Sequence, residues 1–356
     1  MHRRLVYELS RRRWLMIALL IGLVLMLLPL PGPVRPSPEE PAVVLSEDGR
    51  RILAITITAT ILFIAEPVPL PAVALLIAVA QVVFVGSASA TSVARSFMSD
   101  SVFFIMGSLM LAAAMVRQRI EPRIALSILR LTGPSLPRLM FGIVMVCALL
   151  ASVIGEHSVA AIMLPVVLLL LRLTGEESHG TQRLAPLLLF CVAFGCAAGS
   201  IGTPSGGARN AIMLEYWKTL PEEPIHVGYI DWIKYLYPMV LIQAPLVVLL
   251  LSRSFRCESL NLTEAVSKLQ SQIAEKGRMG VREWVAVALF GLTLAGWVGL
   301  GQRWGIGIIA LFGAALFLVA GLVEWEDYNR GVNWGVVLLY AAAISMGVSM
   351  KNTGAA

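Results

Sequence analysis

The sequence predicts an all-α polytopic membrane protein, on three observations. Of its 356 residues, 58% are hydrophobic and only 14% charged, and the mean hydropathy is +0.80. A soluble domain carries roughly 45–50% apolar and about 25% charged residues, so a soluble enzyme or a nucleic-acid-binding domain is excluded. Eleven apolar runs lie near 14–30, 51–65, 70–86, 101–116, 138–154, 159–173, 184–199, 233–251, 284–300, 304–323 and 334–350, close to the ~20 residues that a membrane helix needs. Finally, the net charge of +6 is unevenly spread over the connecting segments, as expected when basic loops stay in the cytoplasm.

Taken in order, Arg3, Arg4, Arg11, Arg12 and Arg13 precede the first run and hold the N-terminus inside. Its length, and the prolines at 29, 31 and 33 where a small-residue cleavage site would stand, argue against a signal peptide. The proline-rich stretch 31–41 is an extended external loop. The turn 66–69 then falls inside and 87–100 outside. The next loop, with Arg117, Arg119, Arg123, Arg130 and Arg138, falls inside. The acidic segment of Glu215, Glu222, Glu223 and Asp231 comes out externally, and the basic segment from Arg253 to Arg282 internally. Two full spans or a hairpin at 138–173 give the same parity. In 259–279, Leu262, Val266, Leu269 and Ile273 recur at helical spacing after an Asn261/Glu264 capping pattern; this reads as an amphipathic helix on the cytoplasmic surface. Cys147, Cys191, Cys196 and Cys257 show no CxxC spacing and read as packing residues.

Two runs are interrupted where a membrane helix should continue, and freed backbone groups at such breaks must face a cavity or bind something. The first break is Ile154-Gly155-Glu156-His157-Ser158. An acid there costs about 2.5–3.5 kcal/mol on insertion scales, which marks Glu156 as a functional candidate; the bland alternative is a solvated turn. The second, from Gly195 to Asn210, holds five glycines and Pro204. It reads as a discontinuous helix with an unwound centre, resuming at Ala211. Its carbonyls suit a cation and the resumed N-terminus an anion. Ser200, Thr203 and Ser205 add hydroxyls. Arg209 either pairs with an anionic solute or snorkels to the surface. A hairpin followed by a broken helix is the layout of a secondary transporter built from repeats.

Three motifs carry a more specific likeness: Gly107-Ser108-Leu109-Met110-Leu111-Ala112-Ala113-Ala114-Met115, Ala160-Ala161-Ile162-Met163-Leu164-Pro165, and Ile201-Gly202-Thr203-Pro204. Together, in this order, they resemble the divalent-anion:sodium symporter family of the ion-transporter superfamily, from about residue 50 onward. The resemblance implies an inverted-repeat fold with a re-entrant hairpin (138–173) and a broken helix (184–220), a homodimer, and elevator-like movement. On that reading, 1–50 is the N-terminus, first span and external loop. The first repeat is 51–257, the linker helix 258–282, and 283–356 begins a second repeat. A second hairpin and broken helix would follow, so the chain is expected to be a fragment or remnant whose second repeat is truncated, unable to transport alone.

The resemblance implies a solute and ion site at Gly155, Glu156, His157, Ser158, Gly199, Ser200, Gly202, Thr203, Pro204, Ser205, Arg209 and Asn210, with sodium at Glu156, Gly199 and Ser200. The family's Ser-Asn-Thr hairpin tip is replaced here by Gly155-Glu156-His157, and the Pro-Asn after Gly-Thr-Pro by Ser205 to Asn210, where only Asn210 corresponds. Glu156 then has three roles open to it: to take a proton, to pair with His157, or to bind sodium directly. The expected activity is transport of a small di- or tricarboxylate or sulfate-like anion, coupled to sodium or protons. No cofactor beyond the coupling ion is expected, no enzymatic activity and no nucleic-acid partner. The expected location is a bacterial-type cytoplasmic membrane. A cation/proton antiporter of the same superfamily and a non-transporting membrane scaffold are the alternatives. An intramembrane metalloenzyme is disfavoured, because no HExxH is present and the four histidines lie apart.

Overall fold

A computed structural model describes residues 2–29, 45–118, 135–173, 181–219, 225–255, 271 and 279–355. Among them run α1 (His2–Leu27), α2 (Glu47–Ala65), α3 (Leu70–Phe84), α4 (Ala90–Phe97), α5 (Asp100–Gln118), α6 (Leu136–Ile154), α7 (Glu156–Leu173), α8 (Thr181–Ser200), α9 (Ala208–Thr219), α10 (Tyr229–Ser254), α11 (Val281–Trp304), α12 (Ile306–Val319), α13 (Trp325–Gly331) and α14 (Trp334–Thr353). All eleven apolar runs are helical over most of their length. The expected loop 87–100 instead contains α4. Ser89 and Ser92 cap it reciprocally, and Val93 and Phe97 bury its inner face. The expected linker helix (apart from Ser271 and residues 279–282), the proline-rich 31–41 stretch, Arg119, Arg123, Arg130, Glu222, Glu223 and Cys257 lie outside the described residues.

Among the described residues, five stretches are long and apolar enough to cross a membrane: 90–118, α6, α10, α11 and α14. Two compact units divide the chain. One takes residues 1–102, 214–226 and 333–356, the other 103–213 and 227–332, so each draws on both sides of the 258–282 segment.

In the first unit, α2 begins where Ser46 accepts a hydrogen bond from the Gly49 N–H at 2.9 Å, with Glu47 and Asp48 in the first turn. Asp48 also accepts from the Gly86 and Ser87 N–H groups at 2.9 and 2.8 Å, which fixes the end of α3 to the start of α2. α1 lies so close to α2 that a Cβ at Gly22 would sit 2.3 Å from Thr58 Oγ1. A polar thread joins α3, α4 and α14. Buried Gln81 accepts from Ser345 and Ser349 at 3.2 and 2.5 Å, and the Ser345 and Ser96 hydroxyls are 2.7 Å apart.

The second unit is organised around α6, whose apolar window is 67% buried, against 17% for α10 and 22% for α11. α6 is therefore a core helix, while α10 and α11 turn most of their apolar surface outward. Leu139, Ile143, Val146, Cys147 and Ala151 are fully buried. α8 packs on α6 through glycines: a Cβ at Gly195 would lie 2.9 Å from Cys147 Cβ, and one at Gly199 only 2.1 Å from the Ala148 carbonyl. Small residues at such positions let helix backbones touch. Gly107 likewise lets α5 meet α12 at Ala310. Phe104 and Tyr229 both pack on buried Trp297, with ring centroids 5.2 and 5.4 Å apart.

Candidate functional site

The site lies within the second unit, where two interruptions of helix meet. α6 ends at Gly155, whose φ of 89° breaks the helix at one residue; a side chain at that φ is strained. Helix resumes at once, so Glu156, His157 and Ser158 form the first turn of α7 and only Gly155 leaves the helix. An acid is favoured there by the unpaired N–H groups of the helix start.

α8 stops at Ser200. Residues 201–203 are non-helical, Pro204–Gly206 make a single 3-10 turn, and α9 starts at Ala208. Helix thus resumes three residues earlier than expected, and Arg209 and Asn210 sit in its first turn. The loop is held by its own polar groups. Gly202 N–H donates to Gly199 O at 3.0 Å, and Gly206 N–H to Thr203 O at 3.1 Å. Buried Asn210 donates both amide hydrogens inward, to Ser200 O at 2.7 Å and Thr203 O at 2.8 Å. A Cβ at Gly206 would lie 2.4 Å from Ser200 O.

The loop is also fastened to its neighbours. The Thr203 hydroxyl donates to Ser152 O in α6 and lies 3.0 Å from Ser205 Oγ. Ser205 is 2.8 Å from the Tyr229 hydroxyl, and Trp232 Nε1 donates to Ile201 O at 2.8 Å. Gly202 leaves room for the Tyr237 ring.

Glu156 and Arg209, 53 residues apart in sequence, meet here. Arg209 Nη2 lies 2.5 Å from Glu156 Oε2 and 3.1 Å from Ser200 Oγ. The Glu156 side chain is 21% exposed and that of Arg209 57%, so the arginine neither snorkels freely nor is sealed in. His157 is 89% exposed, with Nδ1 3.9 Å from Glu156 Oε1, a contact too long for a hydrogen bond. Glu156 and Ser200, two of the three residues expected at sodium, both point at one nitrogen of a guanidinium. The Gly199 carbonyl, the third, accepts from Gly202.

The structure therefore gathers Gly155, Glu156, Gly199, Ser200, Gly202, Thr203, Pro204, Ser205, Arg209 and Asn210 at one junction, with Ser158 half-buried beside it and His157 at its outer edge. Sequence reasoning missed Ser152, Tyr229 and Trp232. Ser152 had a signal, as the one hydroxyl in the run 138–154. The two aromatics follow a loop and had none.

The family described as the sodium:sulfate symporter transmembrane region matches residues 9–356. A sodium-dependent high-affinity dicarboxylate transporter of Caenorhabditis elegans is 26% identical over 316 residues, covering 76% of this chain and 56% of that protein. A sodium-dependent dicarboxylate transporter of Staphylococcus saprophyticus is 25% identical over 341 residues, covering 88% of this chain and 64% of its own length. An uncharacterized transporter of Haemophilus influenzae is 23% identical over 317 residues, covering 85% and 65%. The chain thus spans 56% to 65% of the length of these relatives. With its series of membrane-length helices, this chain is an integral membrane protein and belongs to the sodium:sulfate symporter family.

Proposed function

We propose that this junction forms part of the site of a secondary transporter that moves a small dianion, a dicarboxylate or sulfate, together with sodium. The observation that carries this reading is the meeting of the break between α6 and α7 with the unwound segment after α8, where an arginine, a carboxylate, three hydroxyls and the start of α9 converge. Helix starts and guanidinium groups attract oxyanions; carboxylate, hydroxyl and carbonyl oxygens suit a hard cation. The relatives named for sodium-dependent dicarboxylate transport support the choice of ions.

An inverted repeat is supported by the element series. α2 to α5 have 19, 15, 8 and 19 residues; α11 to α14 have 24, 14, 7 and 20. In both series the short third member carries a capping box. An elevator-like movement of hairpin and broken helix as one body is supported by their backbone-to-backbone contact at Gly199 and the Thr203–Ser152 bond. A homodimer, a cytoplasmic N-terminus and a cytoplasmic-membrane location belong to the same reading.

The test is uptake of labelled succinate and of labelled sulfate into proteoliposomes under an inward sodium gradient, with a proton gradient as the comparison. Sodium-driven accumulation of one of them is expected. Sodium–proton exchange with no anion dependence would favour a cation antiporter instead.

A further inference from the structure

The donor geometry of Arg209 carries one more inference. A guanidinium offers two edges to a carboxylate or sulfate, one made by Nε and Nη2 and the other by Nη1 and Nη2. Both edges include Nη2. That nitrogen has two hydrogens and two acceptors here, Glu156 Oε2 at 2.5 Å and Ser200 Oγ at 3.1 Å. With Nη2 fully used, neither edge can dock an oxyanion bidentately, although more than half of the side chain is exposed. The charge of Arg209 is also neutralised by the same carboxylate.

We propose that Glu156 is a built-in competitor of the transported oxyanion for the Arg209 fork, so that anion binding is an exchange of one carboxylate for another. This rests on the transport reading above and adds to it a device for coupling. An oxyanion gains a two-point contact only when Glu156 releases Nη2. Sodium, as the co-transported ion, draws the Glu156 carboxylate away because it supplies a positive charge in place of the guanidinium. Anion and sodium then help each other to bind, and by linkage each raises the affinity of the other by the same factor. Without sodium the fork stays closed, which suppresses uncoupled anion movement. The other charged group within 4 Å of Glu156 among the described residues is His157, when protonated. It stands on the same helix turn at the longer distance, so Arg209 is the dominant partner.

The test is equilibrium binding of labelled succinate and labelled sulfate to the purified protein in nanodiscs, with and without sodium. Glu156→Gln keeps the shape and one acceptor but removes the charge. It is expected to tighten anion binding in the absence of sodium by about ten-fold, since hydrogen bonds to charged groups are the stronger class, and to flatten the sodium dependence. Ser200→Ala frees the second hydrogen without changing charge and is expected to tighten binding by a smaller factor. Arg209→Lys, which has no planar fork, is expected to weaken binding in both backgrounds. If wild type binds an anion and Glu156→Gln binds it equally or more weakly, or keeps the full sodium dependence, the exchange is wrong while the transport reading stands. If neither wild type nor any variant binds succinate or sulfate, the transport reading itself fails.

Discussion

Replacing Asn210 by alanine tests whether the unwound loop is a built site or a slack connection. The Asn210 side chain is 4% exposed, and its amide nitrogen donates to Ser200 O and Thr203 O at 2.7 and 2.8 Å. Those carbonyls lie on either side of the break, so one amide spans the gap between the end of α8 and the 3-10 turn. Alanine removes both bonds. Each is worth about 1 kcal/mol net, and a buried carbonyl left without a donor adds a penalty of about 1–3 kcal/mol. The Thr203 carbonyl keeps the Gly206 N–H, so that penalty falls on the Ser200 carbonyl, and a total loss of about 3–5 kcal/mol follows. At roughly 2 °C per kcal/mol, the thermal midpoint in nanodiscs should fall by about 6–10 °C. Sodium-dependent succinate binding should weaken as well, because Arg209 is anchored on the same turn. Asn210→Asp should be worse than alanine, since it aims a charge at two carbonyl oxygens. A midpoint within 1 °C of wild type, with unchanged binding, would refute the idea that this amide holds the loop together.

Three further outcomes are expected. Gly199→Ala should destabilise by about 1–3 kcal/mol through overpacking, because its Cβ would lie 2.1 Å from the Ala148 carbonyl; a fluorescence-detected thermal melt reads it, and an unshifted midpoint would show that α6 and α8 part easily. Gly155→Ala places a Cβ at a φ of 89° and should cost about 1–2 kcal/mol. At Asp48, the Ser87 side-chain hydrogen bond, then the Gly86 and Ser87 N–H groups, hold the carboxyl below its ordinary range against the opposing effect of burial. Its contribution is therefore complete above the ordinary carboxylate range and disappears as the pH drops through the depressed value. Asp48→Asn should remove that acid dependence from the melting curve, and an identical pH profile for the two proteins would contradict it.

The positions of the helices were legible in the sequence because apolar runs of membrane length leave few alternatives. Both breaks were legible for the converse reason, since a glutamate or five glycines cannot sit in such a run without consequence. The details at each break were not. Glu156, His157 and Ser158 read as a turn, yet one glycine with positive φ suffices to break the helix and the acid then belongs to the next helix start. The helix was expected to resume at Ala211 because Arg209 and Asn210 look like loop residues; as first-turn residues they bond back to the preceding break. Periodicity carries no information on pairs 53 residues apart, so the meeting of Glu156 with Arg209 required the fold. α4 and α13 escaped notice because they are short and polar, and capping rather than apolar periodicity defines them.

The central claim is that an oxyanion binds at the junction of Gly155 and Arg209 in exchange for Glu156. The most direct measurement is the anomalous diffraction of crystals grown with sodium and selenate, an isostere of sulfate that marks its own position. The account predicts a selenium peak beside the Arg209 guanidinium, contacted through Nη2, with the Glu156 carboxylate displaced from that nitrogen. A selenium peak elsewhere in the protein, or an Arg209–Glu156 pair left intact beside a bound anion, would contradict it.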